Sequence, residues 1–343
     1  MHNNQSTADI RGIFKRLAGV GVAALVVVAL FVTLFAGGLH QPKPHDVPVG
    51  IAAPPTVMQH LQAGLAAHAP GALDLHHYVS TTQAKQAIEG STVDGAFVVT
   101  PRLAYLFLAG ASGDAVTAII RGTFTSVAKA THLPLVVQDL KPLPRSDPSG
   151  LVPFFLGVGL VIPSFLFAVL LFILAAQLPV WPRLVTVGLF AFLAALVGAT
   201  TLEVVLGTWN HNFWEVVGIG WLLAFAVISS TAAIQRLVGL PGTGLAGLTL
   251  IPLGMVTSGG VLDYHLLPNG FRQLSQLLPP GAAVSAFRNA MYFDGNGLAT
   301  HLLVLAIWAA VALVVLIAVR GGLPDLMQRR RARRVRVPGA ASI

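Results

Sequence analysis

Residues 278–295 read LPPGAAVSAFRNAMYFDG and lie between two long apolar segments. The stretch is too polar to cross a bilayer, yet its apolar residues Val284, Phe287 and Met291 keep the spacing of one helix face. A second stripe at helical spacing is polar. It contains the candidate gate or pathway residues Ser285, Arg288, Asn289 and Tyr292.

The residues just before this stretch carry a similar pattern. Phe271, Leu274 and Leu278 recur at i, i+3 and i+7, and Pro279-Pro280-Gly281 then interrupts the helix. We therefore predict an amphipathic helical hairpin over residues 262–301, either re-entrant or interfacial. A re-entrant hairpin requires that its broken backbone be buried in protein. A simple interfacial loop is the alternative.

The chain around the hairpin has the composition of an integral membrane protein. It is 55% hydrophobic and only 10% charged, whereas about 25% charged residues are typical of soluble domains. Six segments reach the roughly 20 apolar residues that a span needs. They are 17–39, 151–176, 184–207, 214–237, 240–261 and 302–320, so that transmembrane helices 2–5 occupy 151–261. The expected fold class is a polytopic α-helical membrane protein with six transmembrane helices.

The basic residues fall on one side of these six spans. Lys and Arg precede span 1, separate spans 2 and 3 and spans 4 and 5, and crowd into the tail 321–343. By the positive-inside rule that side is the cytoplasm. We expect a multi-pass protein of the cell (plasma) membrane, with segment 1–16 and the tail both cytoplasmic. Much of the basic charge lies in this tail, which predicts contact with anionic membrane lipid and not with nucleic acid.

A signal peptide that is cleaved is not expected, because the first apolar run is longer than a usual signal-peptide core. Residues 40–150, which follow this first span, have a different pattern of polar and apolar residues. Short strand-like runs alternate there with amphipathic helical segments, which is typical of a small α/β domain. The orientation of the spans places this domain outside the cytoplasm, between transmembrane helices 1 and 2. The strand-like runs are 47–53, 73–80, 95–101, 103–110 and 133–140.

No motif in the sequence indicates an enzyme. The chain contains no cysteine, no Gly-x-Ser-x-Gly elbow, no zinc-protease helix and no Walker A sequence. Of the 11 histidines, the neighbours His76 and His77 lie on a predicted strand and point to opposite faces, so they do not suggest a metal site. We expect no catalytic residue, no metal and no cofactor bound by this chain.

Two features of the apolar segments are candidates for function or packing. Glu203, near the end of the third span, is the acid best placed to contribute to a substrate or proton path, or else it faces the lipid head groups. Gly239, Thr243 and Gly247 recur at four-residue spacing in the fifth span, which favours close helix packing within the chain or across a dimer. Pro252 predicts a kink there.

The segment that runs from Thr257-Ser258-Gly259-Gly260 through Leu278-Pro279 to Arg288 resembles the ABC-2-type transporter permease superfamily. The whole arrangement, a span, an outer α/β domain and five further spans, is similar to its YhgE/Pip-like or DUF3533-like branch. The resemblance implies a homodimeric or heterodimeric exporter of a hydrophobic or amphipathic substrate, such as a lipid, glycolipid or drug. ATP would then be hydrolysed by a separate ATP-binding subunit, because this chain has no Walker A sequence.

Two other functions stay open. The loop 177–183 is short and contains two prolines, so it offers little to receive force from an ATPase. This favours an ATPase-independent membrane protein whose outer domain binds a ligand, an envelope component or a phage. An ion-coupled exporter is the second alternative, and it rests on Glu203.

Overall fold

The computed structural model describes residues 3–40, 42–68, 70–175, 178–207 and 212–319, so the predicted basic tail lies outside the described residues. Within this part of the chain four helices are long and apolar enough to cross a membrane. They are α5 (Val152–Leu174), α6 (Val180–Leu206), α7 (Phe213–Val238) and α12 (Leu298–Ala318). A mostly helical chain with four such helices fits a membrane-embedded protein.

The first predicted span lies within a longer helix. The helix α1 (Asn3–Leu39) continues through the predicted boundary between segment 1–16 and the span. Its apolar stretch, counted over the residues whose side chains are described, is Leu25–Leu39. This stretch is shorter than a full span, and it contacts the rest of the molecule near its end, where Gly38 packs against Val256.

The fifth predicted span is broken and shorter than expected. It consists of α8 (Leu240–Leu248), one π-helical turn (Thr249–Leu253) and α9 (Gly254–Val256), and it ends at Val256, before the predicted residue 261. Pro252 lies in the π-helical turn, because proline cannot donate the hydrogen bond of a regular α-helix.

The helix α7 lies at the centre of the bundle. It packs against α5, α6, α8 and α12, and small or hydroxyl residues along it let these neighbours approach. The Thr231 hydroxyl donates to the Val227 carbonyl at 2.7 Å and the Ser229 hydroxyl to that of Phe225, so both are satisfied within the helix. The core around α7 is apolar and includes Leu160, Leu223, Val227 and Leu305.

Residues 47–139 form a five-stranded sheet with helices. The strands are β1 (Val47–Ala52), β2 (Leu73–His77), β3 (Gly95–Val99), β4 (Ala104–Leu108) and β5 (Leu135–Asp139). Their order is β2-β1-β3-β4-β5, and every pair is parallel except β3 and β4. The antiparallel pair is the hairpin that the two adjacent runs 95–101 and 103–110 predict.

Three helices complete this α/β domain: α2 (Pro55–His68), α3 (Thr81–Glu89) and α4 (Asp114–Ala130). The Ser80 hydroxyl caps α3 by accepting a hydrogen bond from the Gln83 amide at 3.2 Å. Phe124 of α4 stacks on Phe97 of β3 in the domain core. The strands and helices therefore agree with the alternation in the sequence.

The segment between α9 and α12 contains α10 (Phe271–Ser275) and α11 (Pro279–Tyr292). The first arm of the predicted hairpin is a single short turn, whereas the second is a full helix that packs against α5, α7 and α12. The break is tight, because a Cβ at Gly281 would lie 1.7 Å from the Ser275 carbonyl oxygen. The helix α12 begins at Leu298, inside the range 262–301 predicted for the hairpin, since Gly297 adopts a positive φ and ends the preceding turn.

Candidate functional site

A polar cavity of about 160 Å³ lies between α11, the start of α12 and the α/β domain. Three residues predicted from the polar stripe, Ser285, Arg288 and Asn289, line it together. The domain contributes the loop before β3 and the 3-10 turn before α4. The charged, imidazole and amide side chains of the lining are Asp94, Asp263, His265, Arg288, Asn289 and His301.

Arg288 forms a buried ion pair in this cavity. Its Nη1 lies 3.3 Å from Oδ2 of Asp263, and its Nη2 donates to the Gly259 carbonyl at 3.2 Å. The two side chains are only 14% and 9% exposed. The pair therefore fixes the loop after α9 to α11, while the buried Nε of Arg288 has no hydrogen-bond acceptor among the described residues.

Asp94 has a different environment on the opposite wall. The Ser112 hydroxyl donates a hydrogen bond to its carboxylate, but no Lys, Arg or His of the described residues lies at ion-pair distance from it. Burial, together with the negative charge of Asp263, raises the pKa of Asp94 to about 7, although Ser112 and Arg288 act in the opposite direction. A carboxylate without a counter-ion thus faces the cavity.

The segment before β1 closes one side of the site. His265 makes one backbone and one side-chain contact with this segment. The His45 amide donates to the His265 carbonyl at 2.8 Å, and Nδ1 of His265 lies 3.1 Å from the His45 carbonyl oxygen. Burial lowers the pKa of His265 below its ordinary value, so the ring is held neutral at physiological pH. An exposed pair, Arg272 with Asp46 at 2.6 Å, adds a second link.

Tyr292, the fourth residue of the polar stripe, lies one turn after Arg288 and Asn289 on α11 and does not line the cavity. Its hydroxyl donates to the Asp147 carboxylate, which also accepts hydrogen bonds from the Leu151 and Val152 amides at the start of α5. Burial and the bond to Asp147 raise the pKa of Tyr292 above its ordinary value. Tyr292 therefore fixes α11 to the first turn of a membrane-spanning helix, and it is not brought to the cavity.

The remaining predicted residues lie elsewhere. Glu203 is half-buried near the end of α6, and its Oε1 has no hydrogen-bond partner among the described residues. Gly239 connects α7 to α8, the Thr243 hydroxyl accepts from Gln235 of α7 at 3.0 Å, and Gly247 faces Phe165 of α5. These small residues pack within the chain, in the neighbourhood of the kink at Pro252.

Three aspartates that face α11 are not predicted from the sequence. Asp94, Asp147 and Asp263 each stand next to a strand, a helix or a turn, as acidic residues often do on a protein surface. An available signal was that Asp94 and Asp263 are each flanked by apolar residues in a chain with only 13 acids. The chain matches none of the known protein-family models, none of the curated proteins and none of the solved structures.

Proposed function

We propose that the chain is the membrane-spanning subunit of an ABC-2-type exporter that moves a hydrophobic or amphipathic substrate outward with a separate ATPase. One observation carries the proposal: α11 follows a sharp helix break, is buried among α5, α7 and α12, and presents its polar face to a cavity. A broken helix inside a bundle is tolerated where its backbone is buried in protein or lines a water-filled space. Such an element suits an outer gate.

The proposal includes six spans, with α1 and the α8–α9 segment as the first and fifth. Both are apolar, and the π-helical turn lets the fifth bend around the hairpin, since Gly254 lies against the Pro280 ring. The distribution of Lys and Arg supports cytoplasmic termini in a plasma membrane and an α/β domain on the opposite side. The proposed complex is a dimer with an ATP-binding subunit.

Labelling of single cysteines tests the gate, because the chain contains no cysteine of its own. Ser285→Cys, in the cavity wall, is expected to react faster with a membrane-impermeant maleimide during ATP turnover than at rest. Val79→Cys, at a position 80% exposed in the α/β domain, is the control that reacts equally in both states. Leu178→Cys, in the α5–α6 loop, is expected to react with the reagent only after the membrane has been permeabilised.

The proposal fails on either of two results. One is that no ATPase co-purifies with the tagged chain from its native membrane. The other is that the rate of labelling at position 285 does not depend on ATP, although both controls give the expected results. Glu203→Gln tests the ion-coupled alternative in a transport assay, because coupling through Glu203 requires that this variant lose transport.

The end of the bundle where α5 connects to α6 favours a second function. Only residues 175–179 lie between the described ends of α5 and α6, and a connection of this length offers little on which an ATPase could push. The alternative is an ATPase-independent protein whose α/β domain binds a ligand, an envelope component or a phage. It predicts that deletion of residues 45–145 abolishes binding and leaves export unchanged.

A further inference from the structure

The carboxylate of Asp94 poses a physical problem. An ionised carboxylate that is partly withdrawn from water and has no cationic partner is destabilised, so it either takes a proton or recruits a cation. Asp263 cannot relieve it, because it is itself negative and is already paired with Arg288. A proton would need no space, yet Asp94 faces about 160 Å³ of cavity, whereas one water molecule takes about 30 Å³ in the liquid.

When Asp94 is ionised, the charges around the cavity sum to one negative charge. Asp263 and Arg288 cancel, which leaves Asp94, while burial holds His265 neutral. A ligand with a single positive charge therefore restores neutrality. The remaining titratable groups of the lining are Tyr264 and His301, on the loop and on α12.

The side chains that line the cavity near Asp94 determine which kind of cation can bind there. The acceptors near Asp94 are hydroxyl oxygens of Ser91, Thr92 and Ser112, which bind N–H donors. A quaternary ammonium has no N–H to offer and is held by aromatic faces. The only aromatic rings in the described lining, apart from the two histidines, are those of Tyr264 and Phe293. A primary ammonium fits this wall better.

One N–H donor in the same lining lacks an acceptor. The amide nitrogen of Asn289, a residue only 7% exposed, donates no hydrogen bond to the described residues, while its Oδ1 accepts from Ser91. This donor calls for an oxygen on the ligand, in the same small cavity as its ammonium group. An amino alcohol or its phosphate ester carries both groups.

We propose that the cavity binds a primary ammonium group next to an oxygen, from a free amino alcohol or from an ethanolamine lipid head group, with Asp94 as the counter-ion. Ser112 holds the Asp94 carboxylate, and the side-chain amide of Asn289 binds the ligand oxygen. This inference rests on the proposed function only because the gate and the binding site both use the polar face of α11. Binding is measured without an ATPase or transport, so either idea can fail alone.

Titration calorimetry and thermal unfolding of the full chain, in phosphatidylcholine nanodiscs at pH 8, test the proposal with ethanolamine as the probe. Ethanolamine is expected to bind saturably and to raise Tm, whereas choline and sodium at equal concentration do neither. Asp94→Asn is expected to weaken binding at least tenfold, while Asp74→Asn, which alters an exposed carboxylate of the same domain, leaves it unchanged. Ser112→Ala is expected to weaken binding less than Asp94→Asn.

Nanodiscs that contain phosphatidylethanolamine distinguish the two sources. If the lipid head group is the ligand, these discs raise Tm in an Asp94-dependent way and block the binding of free ethanolamine. If a free amino alcohol is the ligand, ethanolamine binds equally in both kinds of disc. The proposal is overturned if ethanolamine does not bind, if choline or sodium binds as well, or if a folded Asp94→Asn variant binds like the unaltered chain.

Discussion

The two faces of α11 are packed by opposite means. The apolar face presents Ala282, Ala283, Ala286 and Phe287 to the bundle, and all four are fully buried. The polar face meets the α/β domain across a cavity, where the Ser91 hydroxyl donates to Asn289 at 3.5 Å, and it binds the loop after α9 through one buried ion pair. Dense contacts between alanine-rich helices permit little movement without the loss of packing. The bundle face is therefore the fixed side of α11, and the domain face is the side that can adjust.

Phe287→Ala tests the fixed side and has the largest expected effect. Removal of a fully buried phenyl ring leaves a cavity that dense neighbours cannot fill, which costs roughly 3–5 kcal/mol. We expect a large fall in Tm, measured by thermal unfolding in nanodiscs. Phe155→Ala is the control, because Phe155 of α5 is 60% exposed. Equal falls for both variants would show that α11 is not rigidly held by the bundle.

Arg288→Ala tests the ion pair on the domain side. Removal of Arg288 leaves Asp263 buried without its partner, and breaking a buried pair in this way costs about 3 kcal/mol. Arg272→Ala is the matched control in the same segment, because Asp46, the partner of Arg272, is 54% exposed. A change of at most about 1 kcal/mol is expected for the exposed pair. Urea or thermal unfolding that ranks the two variants the other way would contradict this comparison.

Asp94→Asn gives a pH-dependent effect on the same face. The pKa of Asp94 in the folded chain, about 7, lies above its ordinary value of 3.8, so the folded state binds the extra proton between these two pH values. Stability is therefore lost as pH rises from about 4 to about 7. Asparagine cannot ionise, and we expect it to raise Tm by a few degrees at pH 8 and by a smaller amount at pH 5, where only part of the stability has been lost.

The measurement for Asp94 is a pair of Tm profiles between pH 5 and pH 8 without added amine. Asp74→Asn is the control, since Asp74 lies on the surface of the same domain and is 58% exposed. Parallel profiles for Asp94→Asn and the unaltered chain would show that Asp94 is already ionised at pH 5 and has no raised pKa.

Much of the fold followed from local patterns, and the site followed only in part. Helical spacing placed α11 and its break, because alternation of apolar and polar residues reports the two faces of a helix directly. The same pattern selected Ser285, Arg288 and Asn289, which line the cavity together. Asp263, the partner of Arg288, lies 25 residues earlier, and Asp94, which faces the same cavity, lies much further away in the chain. Nothing in local sequence records which distant residue meets a helix face. Glu203 was chosen for its position within an apolar run and does not line this cavity.

Tyr292→Phe has the smallest expected effect and tests the border between the two faces. The variant removes one hydrogen bond to Asp147, but the carboxylate keeps the Leu151 and Val152 amides as donors. We expect a loss of about 1–2 kcal/mol in the free energy of unfolding. Tyr105→Phe is the control, because the Tyr105 hydroxyl makes no hydrogen bond to the described residues. Tyr292→Phe could also change maleimide labelling at Ser285→Cys. That result would show that the start of α5 and the cavity move together. The domain face of α11 would then be coupled to the bundle more strongly than its packing indicates.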